Sequence, residues 1–153
     1  MIRLLLIPLL AISLSAPAAQ PSVSAEVTQA VTRFLTAFEN IDMPTFIACF
    51  ADDATVFFPA PEPADRFDGK PAIAQHFSKV FAAIRASASG GPPYHELQPQ
   101  DLQVTLLGPH AALVTFHLRN SQRIARRTLV LVKVNDRWLI QHLHASNQPV
   151  AGS

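Results

Sequence analysis

Residues 94–145 carry four β-patterned segments in succession, and this half of the chain most constrains what it can fold into. The segments are about 94–107, 111–120, 122–134 and 137–145, separated by the turn signals Gly108-Pro109, Asn120-Ser121 and Asn135-Asp136. Short connections of this kind join consecutive antiparallel strands, so a meander is predicted. In the last two segments both parities are apolar: Leu129, Leu131, Leu139 and Leu143 on one, Val130, Val132, Val134, Trp138 and Ile140 on the other. A sheet with one wet face alternates more cleanly. Helices are therefore expected on one face, and a second subunit or part of a cavity wall on the other.

The first half supplies the helices. Ala30, Val31, Phe34, Leu35 and Phe38 recur at three- and four-residue spacing and define an amphipathic helix beginning near Glu26. Asp42 is a suitable N-cap for a shorter second helix with Pro44 in its first turn and Phe46, Ile47 and Phe50 turned inward. Thr55, Val56, Phe57 and Phe58 read as a short strand that stops at Pro59, and the three prolines in 59–65 exclude regular structure there. Asp68-Gly69-Lys70-Pro71 starts a third helix with Ile73, Phe77, Val80, Phe81 and Ile84 as its apolar face.

At 153 residues, 49% hydrophobic and 15% charged, the chain has room for one core. Met1-Ile2-Arg3, the apolar run 4–14 and Ala16-Pro17-Ala18 form the pattern of a secretory signal peptide, assigned to 1–19, with 20–25 as a flexible tether and 26–148 as the domain. The apolar run falls short of the ~20 residues of a membrane span. A periplasmic or secreted protein is expected. Without Arg3 there are 11 basic and 11 acidic residues, a balance that argues against nucleic acid or an anionic membrane as partner. Cys49 is the single cysteine, so no intrachain disulfide forms, and its apolar neighbours make it a small buried hydrophobe.

The order helix, helix, strand, helix, meander resembles the α+β cone of the NTF2-like superfamily. Phe50-Ala51-Asp52-Asp53-Ala54-Thr55-Val56 resembles its helix-to-strand junction, and Asp68-Gly69-Lys70-Pro71-Ala72-Ile73 the start of its third helix. Arg126-x-Thr128, followed by Asp136-Arg137-Trp138-Leu139-Ile140-x-His142-x-His144-x-Ser146, is similar to the SnoaL-like branch. The resemblance implies three helices packed on a curved antiparallel sheet, with Asp52-Asp53 at the end of the second helix as a structural rather than catalytic pair. It also permits a test: the ketosteroid isomerases of this superfamily carry an aspartate base before the proline of the first strand, an oxyanion-hole tyrosine on the first helix and a second oxyanion-hole aspartate in the sheet. The matching positions here are Phe58, Phe34 and, nearby, Val130. None can move a proton or stabilise an enolate, so that chemistry is not expected.

The remaining candidates lie on the sheet. Strict alternation along the last segment puts Trp138, Ile140, His142, His144 and Ser146 on one face. His142 and His144 then either line the polar end of a cavity or sit at a subunit interface. Metal is not expected, because His117 is separated from them by a whole strand, ~9.6 Å away, and no cofactor motif is present. Arg126 is a candidate anion clamp, with a solvated hairpin arginine as the alternative, and His117 belongs to the same polar patch. The leading expectation is a small, largely apolar organic ligand bound in the cone with His142, His144, Arg126, His117 and Trp138 as contacts, in a homodimer formed through the sheet. The alternatives are a SnoaL-like cyclase, isomerase or hydratase with a histidine base, and a structural dimer whose cone is filled by its own phenylalanines.

Overall fold

The fold is that of a computed structural model, which describes residues 21–59, 66–120 and 122–150. The expected leader at 1–19 and residues 60–65 of the proline-rich stretch lie outside the described residues. The elements are α1 (Val23–Glu39), α2 (Met43–Ala48), β1 (Phe50–Phe57), β2 (Arg66–Asp68), α3 (Lys70–Ser87), β3 (Gln100–Gly108), β4 (Ala111–Arg119), β5 (Arg123–Val134) and β6 (Arg137–Pro149).

Local chemistry explains the boundaries. The Ser22 hydroxyl accepts the Ala25 amide at 3.2 Å and starts α1 at Val23, so residues 23–25 of the segment expected to be a tether are helix. Asp42 caps α2 through the Thr45 amide at 3.2 Å, with Pro44 in the first turn as expected. Gly69 precedes α3 with φ 80°, and its amide donates to the Ala54 carbonyl at 2.8 Å. A side chain there would be strained in φ, which is why glycine punctuates this start. Asn135 and Asp136 both adopt positive φ, 48° and 58°, in the two-residue turn between β5 and β6, a geometry that Asn and Asp tolerate best among residues with a side chain.

One sheet runs in the order β2-β1-β6-β5-β4-β3. Strands β3 to β6 form the antiparallel meander, whereas β1 runs parallel to β6, so the sheet is mixed rather than wholly antiparallel. The helices cover one face. Two expectations change here. The second helix ends at Ala48, which leaves Asp52 and Asp53 inside β1; Asp52 pairs with Lys70 at 2.7 Å at the start of α3. Residues 94–99 are not strand: the Tyr94 amide donates to the Glu39 carbonyl at 2.8 Å, and the Leu97 amide to the Glu39 carboxylate, tying this segment to the end of α1.

The strand β6 does not alternate strictly. Leu131 pairs with Ile140 but Val130 pairs with His142, leaving Gln141 as an extra residue, a β-bulge. Before it Trp138 and Ile140 are buried; after it Leu143 and Ala145 are. The bulge faces an irregularity in β1 between Phe50 and Thr55, and the Gln141 amide donates to the Asp53 carboxylate at 3.1 Å across that gap.

The core between helices and sheet is aromatic. Phe46 is fully buried and its ring lies 4.7–5.9 Å from those of Phe34, Phe38, Phe50, Phe77 and Phe81. Among the described residues, none that is polar or charged is fully buried. Phe46→Ala removes the centre of this cluster and is expected to cost roughly 3–5 kcal/mol, read as a lower midpoint in urea denaturation with an unchanged slope.

Candidate functional site

The aromatic cluster does not fill the wide end of the cone. A chamber of about 60 Å³ remains there, walled by Phe34, Phe38, Phe58, Phe77, Phe116 and Leu118, with Arg127 as the charged group of its lining. It adjoins a cleft of about 360 Å³ that shares Phe38, Phe58, Leu118 and Arg127 and adds Arg119, Arg123, His95 and Glu96. Leu97 closes one side of both, held by the hydrogen bond that its backbone amide donates to the Glu39 carboxylate at the end of α1.

Arg127 reaches this position by parity. On β5 it shares the inner face with Leu129 and Leu131, both fully buried, and it pairs across strands with Phe116 and Ala145, also inward. Its Nη1 donates to the carbonyls of Arg126, at 2.8 Å, and Ser146, at 3.4 Å. No carboxylate pairs with it among the described residues. Burial, reinforced by the charge of Arg123, pushes its pKa down to about 10, so it stays cationic at neutral pH.

Four of the five residues expected to make the site, His142, His144, Arg126 and His117, share one face of the sheet, but it is the face away from the chamber. After the bulge His142 and His144 point away from the helices, in register with Val130 and Thr128 of β5 and with Thr55 and Phe57 of β1. His144 is exposed; His142 Nδ1 lies 2.7 Å from the Thr55 hydroxyl, and the Phe57 ring stands 5.7 Å from each imidazole. Arg126 is exposed on this outer face, bonded to the Gln148 side chain, and pairs in register with His117, whose Nε2 lies 3.5 Å from Asp101. Trp138 is inward but at the far end of the cone: its indole donates to Glu26 at 3.1 Å, beside Lys133 at 2.9 Å from the same oxygen. Glu26 and Phe38 are twelve residues apart on α1, ~18 Å along its axis. None of the five lines the chamber: the alternation that grouped the histidines with Trp138 is broken at Gln141, and Arg126 and His117 lie on the outer rows of β5 and β4. Among the described residues no cluster of His, Cys, Asp and Glu could hold a metal ion.

The sequence profile of the SnoaL-like domain matches residues 27–151. The chain belongs to this SnoaL-like family. Solved structures agree on the fold. An NTF2-like protein from Pseudomonas putida KT2440 is 25% identical with a TM-score of 0.67, over 82% of this chain and 87% of that one. A ketosteroid isomerase-like protein from Erwinia carotovora atroseptica SCRI1043 is 19% identical with a TM-score of 0.63, over 80% and 94%. A protein of the DUF3225 family from Pectobacterium atrosepticum SCRI1043 is 21% identical with a TM-score of 0.61, over 81% and 89%. No curated protein matches the chain. In this SnoaL-like domain Phe34 and Phe58, which the resemblance matches to the tyrosine and aspartate positions of the isomerases, both face the chamber. Val130 instead faces outward, and the interior positions beside it are Leu129 and Leu131. All are apolar.

His76 is the imidazole most enclosed by rings, stacked on Phe67 at 4.0 Å with Phe58 and Phe77 at 5.5 and 5.2 Å. Its Nε2 is buried without a hydrogen-bond partner among the described residues. Burial, then the charge of Lys79, lowers its pKa; burial, then His144 and Arg66, lowers that of His142. Both protonate more readily in the unfolded chain, so their contribution to stability is complete above about pH 6.5 and is lost as pH falls through the lower folded values. The carboxylates of Glu26, Asp42 and Asp52 are held low by hydrogen bonds to Lys133, Thr45 and Lys70 respectively, so their loss begins only below about pH 4.5. The melting temperature should therefore begin to fall between pH 6.5 and 5, and His76→Phe with His142→Gln should flatten that interval. An unaltered slope in the double variant would place the acid sensitivity elsewhere.

Proposed function

We propose that this SnoaL-like protein binds a small, largely apolar organic molecule at the wide end of its cone, without ketosteroid-isomerase chemistry. The chamber carries the reading. It is a concave apolar space with one charged group on its wall, the pattern of a small-molecule site, and among the described residues no carboxylate, imidazole or hydroxyl lines it to take a proton. A histidine base drawn from His142 and His144 has no support, since both face away from the chamber. The apolar run 4–14, with Arg3 before it and Ala16-Pro17-Ala18 after it, serves as an export leader, and the protein acts in the periplasm or outside the cell.

Leu118→Trp should fill the chamber from the β4 wall. Saturation-transfer NMR with isobutanol, cyclohexanol and benzyl alcohol is expected to show binding to the parent and little to the variant, with circular dichroism confirming that both fold. Equal binding to the two proteins, or none to the parent, would refute a ligand in this space.

Two copies pack through the outer face of the sheet. What supports this is the band of Leu113, Val130, Val132 and Leu139, which lies on the face away from the helices and is only half-buried in one copy. Burying such a band against its own copy removes apolar area from water. Val132→Glu with Leu139→Glu is expected to convert a dimer to a monomer in light scattering coupled to size exclusion, and a parent that is monomeric at tens of micromolar would overturn the assembly.

A further inference from the structure

We infer that the ligand of the chamber is a carboxylate with a short apolar tail, its two oxygens held by the free edge of the Arg127 guanidinium. This inference rests on the chamber being a binding site and names the chemical class that site accepts.

Three observations converge on it. The first is an uncompensated charge. Arg127 is partly buried among Phe34, Phe38, Phe58, Phe116 and Leu118, and among the described residues no carboxylate lies within ion-pairing distance of it. A cation withdrawn from water without a counter-charge is costly unless something supplies one.

The second observation is the shape of what remains free. Among the described residues both hydrogen bonds of the guanidinium are made by Nη1, to the Arg126 and Ser146 carbonyls. Those bonds fix the plane of the group and leave the edge formed by Nε and Nη2. That edge presents two parallel N–H donors, the spacing at which a carboxylate binds through both oxygens. A phosphate held there with its remaining oxygens toward the chamber would set them against a lining whose other described residues are all apolar. The edge therefore favours the carboxylate.

The third is the charge and volume on either side. Toward solvent the cleft carries Arg119, Arg123 and Arg127 against Glu96. Arg123 shares the inner face of β5 with Arg127, ~13 Å away along the strand, with the small side chain of Ala125 between them. This surplus raises the local concentration of an approaching anion. Toward the core the chamber holds about 60 Å³, well below the ~300–1,000 Å³ of sites for drug-sized ligands. A tail of a few carbons fits there, and a polycyclic one does not.

The test is calorimetric titration of isovalerate against isovaleramide, two molecules of the same shape that differ in charge. The parent should bind the acid at least tenfold more tightly than the amide. Arg127→Gln should weaken isovalerate at least tenfold and leave isovaleramide unchanged, which also reports that the variant is folded. Arg127→Lys keeps the charge but not the two-donor edge, and should fall between the two. Arg126→Gln, on the outer face, should change nothing. Equal affinity of the parent for acid and amide, or an equal loss of both in Arg127→Gln, would refute the carboxylate class while leaving an apolar pocket standing. Inorganic phosphate displacing isovalerate at lower concentration than free isovalerate itself would refute the choice of carboxylate over phosphate. Failure of both probes to bind the parent would remove the pocket, and this inference with it.

Discussion

The Gln141 bulge determines which side chains see the inside of this protein. A strand has a side-chain period of two, so one extra residue transfers everything beyond it to the other face. In β6 that transfer brings Leu143 and Ala145 inward and turns His142 and His144 outward. Without it two imidazoles would enter a core that, among the described residues, holds no fully buried polar group, at a cost of kcal/mol for each unpaired nitrogen. The bulge is anchored rather than merely tolerated. Gln141 donates to Asp53 where β1 itself departs from regular pairing, so the irregularities of two neighbouring strands compensate one another.

That arrangement divides the cone into two ends with different jobs. At the narrow end Trp138, Glu26 and Lys133 form a polar knot in which one carboxylate satisfies two donors; in the middle the phenylalanines around Phe46 fill the space. At the wide end the described residues leave a chamber between them. Phe34 and Phe58, the positions that the resemblance matches to the tyrosine and aspartate of the isomerases, stand as rings in its wall. The scaffold is therefore kept with an apolar lining where the resemblance places an acid and a base, consistent with function residing in sites rather than in folds.

Much of the architecture was legible because it follows from local rules. Asp42, Gly69 and the Asn135-Asp136 pair each mark a backbone conformation that few other residues satisfy, and the helix faces followed from their 3.6-residue period. Where tertiary pairing overrides local preference the sequence was misleading. Asp52 and Asp53 have poor strand propensity, yet they belong to β1 because Lys70 and Gln141 bind them from neighbouring elements. The three-residue β2 is too short to show a period. The bulge has no glycine or proline to announce it, and so the histidines were grouped with Trp138.

Arg127 is the instructive omission. It shares a parity with Leu129 and Leu131, while Arg126 shares one with Val130 and Val132, and both rows are apolar enough to be the core row. Branched valines are tolerated on a half-covered outer face, but the leucines are fully buried, and it is their row that faces the helices. A charged residue on the leucine row was thus the available signal. Its position also accounts for the charge asymmetry of the two faces. The outer arginine and histidine each have a partner on their own face, Gln148 for Arg126 and Asp101 for His117, whereas the inner arginine has two backbone carbonyls and no anion. Backbone carbonyls orient a guanidinium without neutralising it. The inner face therefore keeps a net positive charge where it is least hydrated, and an electrostatic interaction is stronger there than at the surface.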